Sequence, residues 1–345
     1  MPSASMRAVL CSGPDQLTLE RLPVPEPGPG EVRLRVSACG ICGSDLHLLP
    51  GGYLGTPVVP GHEMTGVVDA LGDGVETIAT GDLASVEPLR SCGRCDLCTR
   101  GQNALCRGLK ILGIHANGGF AEYVVTPEER LFPVSADLPS PLGALAEPMA
   151  VVVHGLRRGG VTRGSRVLVL GAGTLGLLAV LAARDLGAEV WITARYPHQA
   201  ERAGALGAAR VLTEAQSSAD ALTALGNEYS FDCVLESVGG EADTLALAAA
   251  AIAPAGTVSV VGHFRRPVSL NTTPLFLKEA TLAWSNCYEH AHDGADFARA
   301  VALIDAHRGR LEAVTTHTVG LDAIADGFAL AADRRSGAVK VTVEI

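Results

Sequence analysis

Four cysteines spaced Cys92-x2-Cys95-x2-Cys98-x7-Cys106 fall within one short stretch of this 345-residue chain. Four thiolates close a tetrahedral zinc site with no open position, so the cluster predicts a metal that stabilises local folding rather than one that handles a substrate. Two disulfides or four free thiols are the alternatives, and Arg94 and Arg100 interleaved with small polar residues favour ligation. A second set of metal-ligating types stands at Cys39-Gly-Ile-Cys42-Gly-Ser44-Asp45-Leu-His47 and Gly61-His62-Glu63. By itself Cys39-x-x-Cys42 suits a redox pair or two small buried hydrophobes equally well. Third, Gly171-Ala-Gly173-Thr174-Leu175-Gly176 has the spacing of a dinucleotide-binding turn. There the first glycine permits the turn, the second lets the backbone approach a pyrophosphate, and the third allows close packing of a helix whose N-terminal N–H groups face the anion.

That glycine spacing carries meaning only between a strand and a helix. Residues 166–170 read as a buried strand, 174–186 as a helix and 189–193 as a second strand. Further strands are expected at 231–235 and 257–261, separated by a helical run over 241–252 that Pro254-Ala-Gly256 terminates. This succession predicts a doubly wound parallel sheet five or six strands wide. Upstream, from Met6 to about Ala146, the text is rich in Gly and Pro, and Val32, Leu34 and Val36 alternate with Arg33 and Arg35 as in a half-buried strand. At the C-terminus Val339, Val341, Val343 and Ile345 alternate with Lys340, Thr342 and Glu344, which predicts an apolar and a polar face and a return to the β-rich domain. The expected division is 1–152 with 287–345 for the β-rich domain and 153–286 for the doubly wound one.

Gly40-Ile-Cys42-Gly-Ser44-Asp45-x-His47, Gly61-His62-Glu63, the four-cysteine loop and the glycine turn stand in the order seen in the medium-chain, zinc-containing alcohol dehydrogenase superfamily, which the sequence resembles over essentially its whole length. The resemblance implies an α/β protein with a GroES-like catalytic domain, an inserted Rossmann cofactor domain and an active site in the cleft between them. It implies also that Cys42 and His62 hold a catalytic zinc. The third protein ligand is a cysteine in the simple alcohol dehydrogenases, whereas Ala144-Leu-Ala-Glu147-Pro148 resembles the polyol and threonine dehydrogenase branch, with glutamate at that place. Glu63 and Glu147 are therefore both candidates to complete the site. Hydride loss from an alcohol carbon requires loss of the hydroxyl proton, which a zinc with an open position eases. Ser44 would pass that proton to His47, whose ordinary pKa suits release to solvent, and Asp45 would orient His62. Tyr53, Phe120 and residues 284–288 are candidates for a substrate wall. Where the polyol dehydrogenases have an arginine before a tyrosine, this chain has Cys287 before Tyr288, which counts against a sugar alcohol specifically.

NAD-specific folds carry an acidic residue about twenty positions past the glycines, where it binds ribose hydroxyls and repels a 2′-phosphate. Here Ala194 and Arg195 stand at that point. A small residue followed by arginine resembles the NADP-dependent secondary alcohol dehydrogenases and predicts that NADP(H) is preferred, with NAD(H) possible. His263, at the end of a predicted strand, is a further candidate cofactor residue. His290 and His292 read as solvated loop residues, and Cys11, Cys39 and Cys233 as small buried hydrophobes.

A formal charge of -10 argues against a nucleic-acid binder, which needs a concentrated positive surface. Residues 167–183 are apolar, but three glycines interrupt the run and Arg184-Asp185 closes it, so no membrane span is expected. Nine cysteines, an odd number, four of them crowded together and with no secretory signal ahead of them, fit metal ligation in a reducing cytoplasm. The edge strand expected at 281–285 predicts a homodimer or homotetramer. The main expectation is thus a zinc-dependent NAD(P)-linked oxidoreductase of a small secondary or polyhydroxy alcohol or its carbonyl partner. An NAD-dependent polyol or threonine dehydrogenase is the alternative. A reductase of activated double bonds would not need the zinc ligands, and a non-catalytic dinucleotide-binding protein would not need Ser44, His47 and both glutamates.

Overall fold

A computed structural model of the chain describes residues 4–290 and 296–345. It divides into two compact units, Met1–Glu147 with Glu289–Ile345, and Pro148–Tyr288.

The second unit is built on six parallel strands in the order Arg210–Leu212, Glu189–Thr193, Arg166–Leu170, Phe231–Glu236, Ile252–Val260, Thr281–Trp284. Val167, Leu168, Val169 and Leu170 are all essentially inaccessible, as a parallel strand covered on both faces requires. The chain then turns through the glycines into the helix Thr174–Asp185, so the apolar run read over 167–183 is a strand, a turn and a buried helix. Among the described residues no helix is long and apolar enough to cross a membrane. The strand order reverses between Arg166–Leu170 and Phe231–Glu236. Ligands of such sheets bind outside the carboxyl ends of the strands at that switch point.

The first unit carries a seven-stranded, mostly antiparallel sheet. Its order is Thr315–Gly320, Lys340–Glu344, Glu31–Gly40, Glu63–Leu71, Leu83–Val86, Leu131–Pro133, and Tyr123–Pro127 also pairs with Glu31–Gly40. Val32, Leu34 and Val36 face the core while Arg33 reaches Asp69 at 2.7 Å, and each such buried aliphatic contributes about 1.5–3 kcal/mol. The C-terminal strand departs from its expected polar face. Lys340 and Thr342 are as buried as Val341 and Val343, because the strand lies inside the sheet with both faces covered.

Candidate active site

The central strand Glu31–Gly40 brings the second ligand set together. Gly40 pairs with Glu63 on one side and with Thr342 on the other, so the residues that follow Gly40 and precede Glu63 leave the sheet side by side. Past Gly40 the chain enters a short helix, Gly43–Leu48, with Cys42 at its N-cap. His62 comes immediately before the strand Glu63–Leu71. As a result ligand atoms of Cys42, His62 and Glu63 all lie within 4.8 Å of one another, a sulfur, nitrogen and oxygen set suited to zinc. A side chain at position 40 could not be accommodated, since its Cβ would fall 2.1 Å from Glu63 Oε2.

Around the set the charges are arranged for a cation. The fully buried Asp45 accepts the Cys42 N–H at 2.9 Å and the Tyr53 hydroxyl at 3.0 Å, and its Oδ1 is 3.7 Å from His62 Nδ1. Burial pushes the Asp45 carboxyl up, against the pull of His62 and the Cys42 N–H. For the His62 ring, burial would lower the pKa, but the Asp45 carboxylate and the Cys42 thiol outweigh it and hold the ring well above its ordinary range. Ser44 Oγ lies 3.3 Å from His62 Nε2, and His47 stands in the last turn of the same helix. Glu147 is not part of the 4.8 Å group, yet it is buried and its carboxyl is pushed up to about 7, mainly by that burial with the Glu63 charge adding to it, while His62 and Lys340 act in the opposite sense. Lys340 was not foreseen as a site residue. Its buried Nζ donates to both Glu63 oxygens, at 2.8 and 2.6 Å, and to the Ile41 carbonyl at 3.1 Å, across the space left by Gly40. Its only sequence signal was a lysine within a strand that, Glu344 apart, is buried.

The four-cysteine loop gathers as its spacing predicted. Cys95 and Cys98 sulfurs are 3.5 Å apart, Cys92 and Cys98 3.9 Å, and Cys95 and Cys106 4.0 Å. Tetrahedral zinc–thiolate bonds of 2.3 Å set sulfurs about 3.8 Å apart. These separations exceed any disulfide bond, and all nine cysteines are free. Backbone N–H groups of Cys92 and Gly108 point at the Cys106 sulfur, and hydrogen bonds from the backbone of Cys98 hold the Cys95 thiol down at about 6.

In the other unit Gly171 turns the chain with its N–H on Thr193 Oγ1 at 2.9 Å, and Gly173 caps the helix Thr174–Asp185 beside open space. Gly176 packs so closely that a Cβ there would meet the Gly171 carbonyl. Thr174 and Leu175 form the first turn of that helix. Ala194 is buried at the end of the second strand, while Arg195 is exposed with its Nε 3.4 Å from Glu214. His263 is exposed and lines a cavity of about 560 Å³ together with Gly262, Trp284 and Ser285.

Three sequence readings are corrected. Tyr53 is not a substrate wall residue in this geometry but a buried brace on Asp45. Phe120 is fully buried and packs edge-on against Phe328 at 6.1 Å. His290 is no solvated loop residue: its Nε2 lies 2.7 Å from the buried Glu87 carboxylate and 2.9 Å from Arg130, and Arg130 continues to Ser91 beside the four-cysteine loop. His292 lies outside the described residues. Cys11, Cys39 and Cys233 are buried, as read.

Residues 28–136 match the alcohol dehydrogenase GroES-like domain family and residues 174–306 the zinc-binding dehydrogenase family. The chain is 38% identical over 177 residues to the starvation-sensing protein RspB of Escherichia coli K12, an alignment that spans 51% of this chain and 52% of that one. To the L-threonine 3-dehydrogenase of Pyrococcus furiosus it is 31% identical over 347 residues, 98% of each chain. A crystal structure of a candidate zinc-binding dehydrogenase from Sinorhizobium meliloti 1021, bound to NADP, superposes with a TM-score of 0.89 at 31% identity, covering 99% of this chain and 100% of that one.

Proposed function

The chain belongs to the zinc-containing alcohol dehydrogenases of the medium-chain superfamily, an NAD(P)-linked family, and from that membership we propose that it oxidises a small secondary or polyhydroxy alcohol, or reduces the matching carbonyl, with NADP(H) as preferred cofactor. The observation that carries the reading is the convergence of Cys42, His62 and Glu63 within 4.8 Å inside a shell of buried acids. When bound, zinc supplies a Lewis acid that eases loss of the hydroxyl proton and the nicotinamide ring accepts the hydride. Cys42, His62 and one carboxylate hold the metal. Glu63 fits by distance, and Glu147 by a burial that a nearby cation would relieve. Asp45, braced by Tyr53, places its charge 3.7 Å from His62 Nδ1 and would orient the ring by that charge, while Nε2 lies 3.3 Å from Ser44 Oγ. Ser44 would relay the hydroxyl proton, its Oγ accepting it as its own hydrogen passes on towards His47, which would release it to solvent. The glycine turn and the helix N-terminus hold the pyrophosphate, and Arg195 the 2′-phosphate.

The four cysteines from Cys92 to Cys106 hold a second, structural zinc. We place the protein in a reducing compartment, the cytoplasm, because nine cysteines, an odd number with four crowded on one loop, suit metal ligation rather than a disulfide framework. Its sheet edge Thr281–Trp284, with Trp284 55% exposed and Phe276 and Leu277 more so, is proposed as the surface through which copies associate. The test is elemental analysis together with a panel of alcohols offered with NADP⁺ and NAD⁺. Two zinc ions per chain and turnover of a secondary or polyhydroxy alcohol support the assignment; one zinc or none in gently purified protein, or no turnover across the panel, opposes it.

A further inference from the structure

Glu236 ends the strand Phe231–Glu236, next to the strand that feeds the glycine turn, and so stands at the switch point of the sheet. It is completely buried. One oxygen, Oε1, accepts three hydrogen bonds: from the N–H of Val238 at 2.8 Å, from the N–H of Gly239 at 2.9 Å and from the Thr244 hydroxyl at 2.8 Å. The other, Oε2, is buried without a hydrogen-bond partner among the described residues and faces Gly262, whose Cβ, if it had one, would lie 2.3 Å away. A buried carboxylate oxygen left unsatisfied is costly, so the side chain must do something its environment requires.

What it does is set the course of residues 237–240. That loop is tied on one side to the glycine turn: the Ser237 hydroxyl donates to the carbonyls of Leu170 at 2.8 Å and Gly171 at 3.3 Å, and Val238 packs where a side chain on Gly171 would lie. On the other side it is tied to the end of the next strand, where the Gly240 N–H donates to the His263 carbonyl at 2.8 Å. The Val238 and Gly239 N–H groups turn inward between these two ties, and Glu236 Oε1 is the acceptor that holds them there.

We propose that Glu236 is a positioning residue for the nicotinamide cofactor: by gathering the Val238 and Gly239 N–H groups it fixes a loop laced to both the Gly171–Gly176 turn and His263. The inference rests on the dinucleotide reading of this unit. It concerns position, not charge, because the bonds converge on one oxygen and the second oxygen makes none. An amide retains the Oε1 acceptor, loses no bond at the other position and is cheaper to bury than a charged oxygen. A shortened carboxylate keeps the charge and loses the reach.

The test is the dissociation constant of NADPH and NADH, by fluorescence titration, for the wild type, Glu236→Gln and Glu236→Asp, with thermal unfolding and zinc content measured on the same samples. Glu236→Gln is expected to bind within about three-fold of the wild type, and Glu236→Asp roughly ten-fold or more weakly, equally for both cofactors because the strand Arg166–Leu170 stands between Phe231–Glu236 and the strand that leads to Arg195. Thr244→Ala serves as the control: it removes a bond to the same oxygen and leaves both loop N–H groups held, so affinity should change by less than about three-fold. Equal affinity of Glu236→Asp and the wild type, or affinities that merely follow the unfolding temperature across the three variants, would overturn the proposal. A wild type that binds neither cofactor would instead overturn the dinucleotide reading itself.

Discussion

At the scale of single residues, the acids and bases around Cys42 and His62 explain one another. Glu63 is buried and has two claimants, the metal site and Lys340, and only the lysine is a fixed part of the chain. Breaking a buried ion pair by removing one partner typically costs about 3–5 kcal/mol, so Lys340→Met should lose about that much stability in a denaturant titration. Zinc should recover part of the loss, since it is the other cation Glu63 can take. An equal loss with and without zinc would place Glu63 outside the metal's reach. Arg195 carries the second residue-scale prediction. Its contact with Glu214 joins two largely exposed side chains and is worth little, which leaves the guanidinium available to a phosphate. Arg195→Ala should weaken NADPH binding roughly ten- to a hundred-fold and leave NADH nearly unchanged. A parallel loss for NADH would show that the arginine does not read the 2′-phosphate. Cys42, His62 and Glu63 were legible in the sequence because ligand-type residues cluster near one another there. Lys340 was not, because it follows Glu63 by most of the chain and meets it only through the strand pairings on either side of Gly40.

At the scale of elements, the strands of the parallel sheet were legible because a strand covered on both faces reads as an apolar run, as at 167–170 and 190–192 within Arg166–Leu170 and Glu189–Thr193. The fifth strand was read short. It runs over Ile252–Val260, and Pro254-Ala-Gly256, expected to end a helix, instead lies in the strand where its register shifts against Phe231–Glu236 and Ala255 takes a positive φ. Proline and glycine are tolerated at such a bulge because no regular ladder bond is required there. The alternating C-terminal strand misled in another way, since alternation predicts a wet face only for a strand with one face open. The four-cysteine loop was legible outright, because its ligands are local. Its sulfurs converge with little regular structure to hold them, so a metal bound there would supply the ordering. Cys95→Ser should therefore lower stability by more than about 2 kcal/mol while NADPH affinity stays within about three-fold, because the glycine turn belongs to the other unit. Unchanged unfolding in this variant would remove the structural role assigned to the loop.

At the scale of the whole molecule, Cys42, His62 and Glu63 stand in a β-rich unit and the glycine turn in a parallel α/β unit. The edge strand Thr281–Trp284, with Trp284 exposed on it and Phe276 and Leu277 exposed in the helix Thr273–Leu277 before it, predicts a dimer or tetramer by light scattering at micromolar concentration, and a monomer there would refute the proposed association. Alcohol oxidation is proposed to depend on a zinc held by Cys42. That dependence is tested most directly by the steady-state rate of NADP⁺ reduction for the wild type and Cys42→Ser, side by side, on the best alcohol of a secondary and polyhydroxy panel. The rate of the serine variant is expected to be lower by about a thousand-fold or more, with the fold and the four-cysteine zinc retained. A serine variant that turns over at the wild-type rate would contradict it.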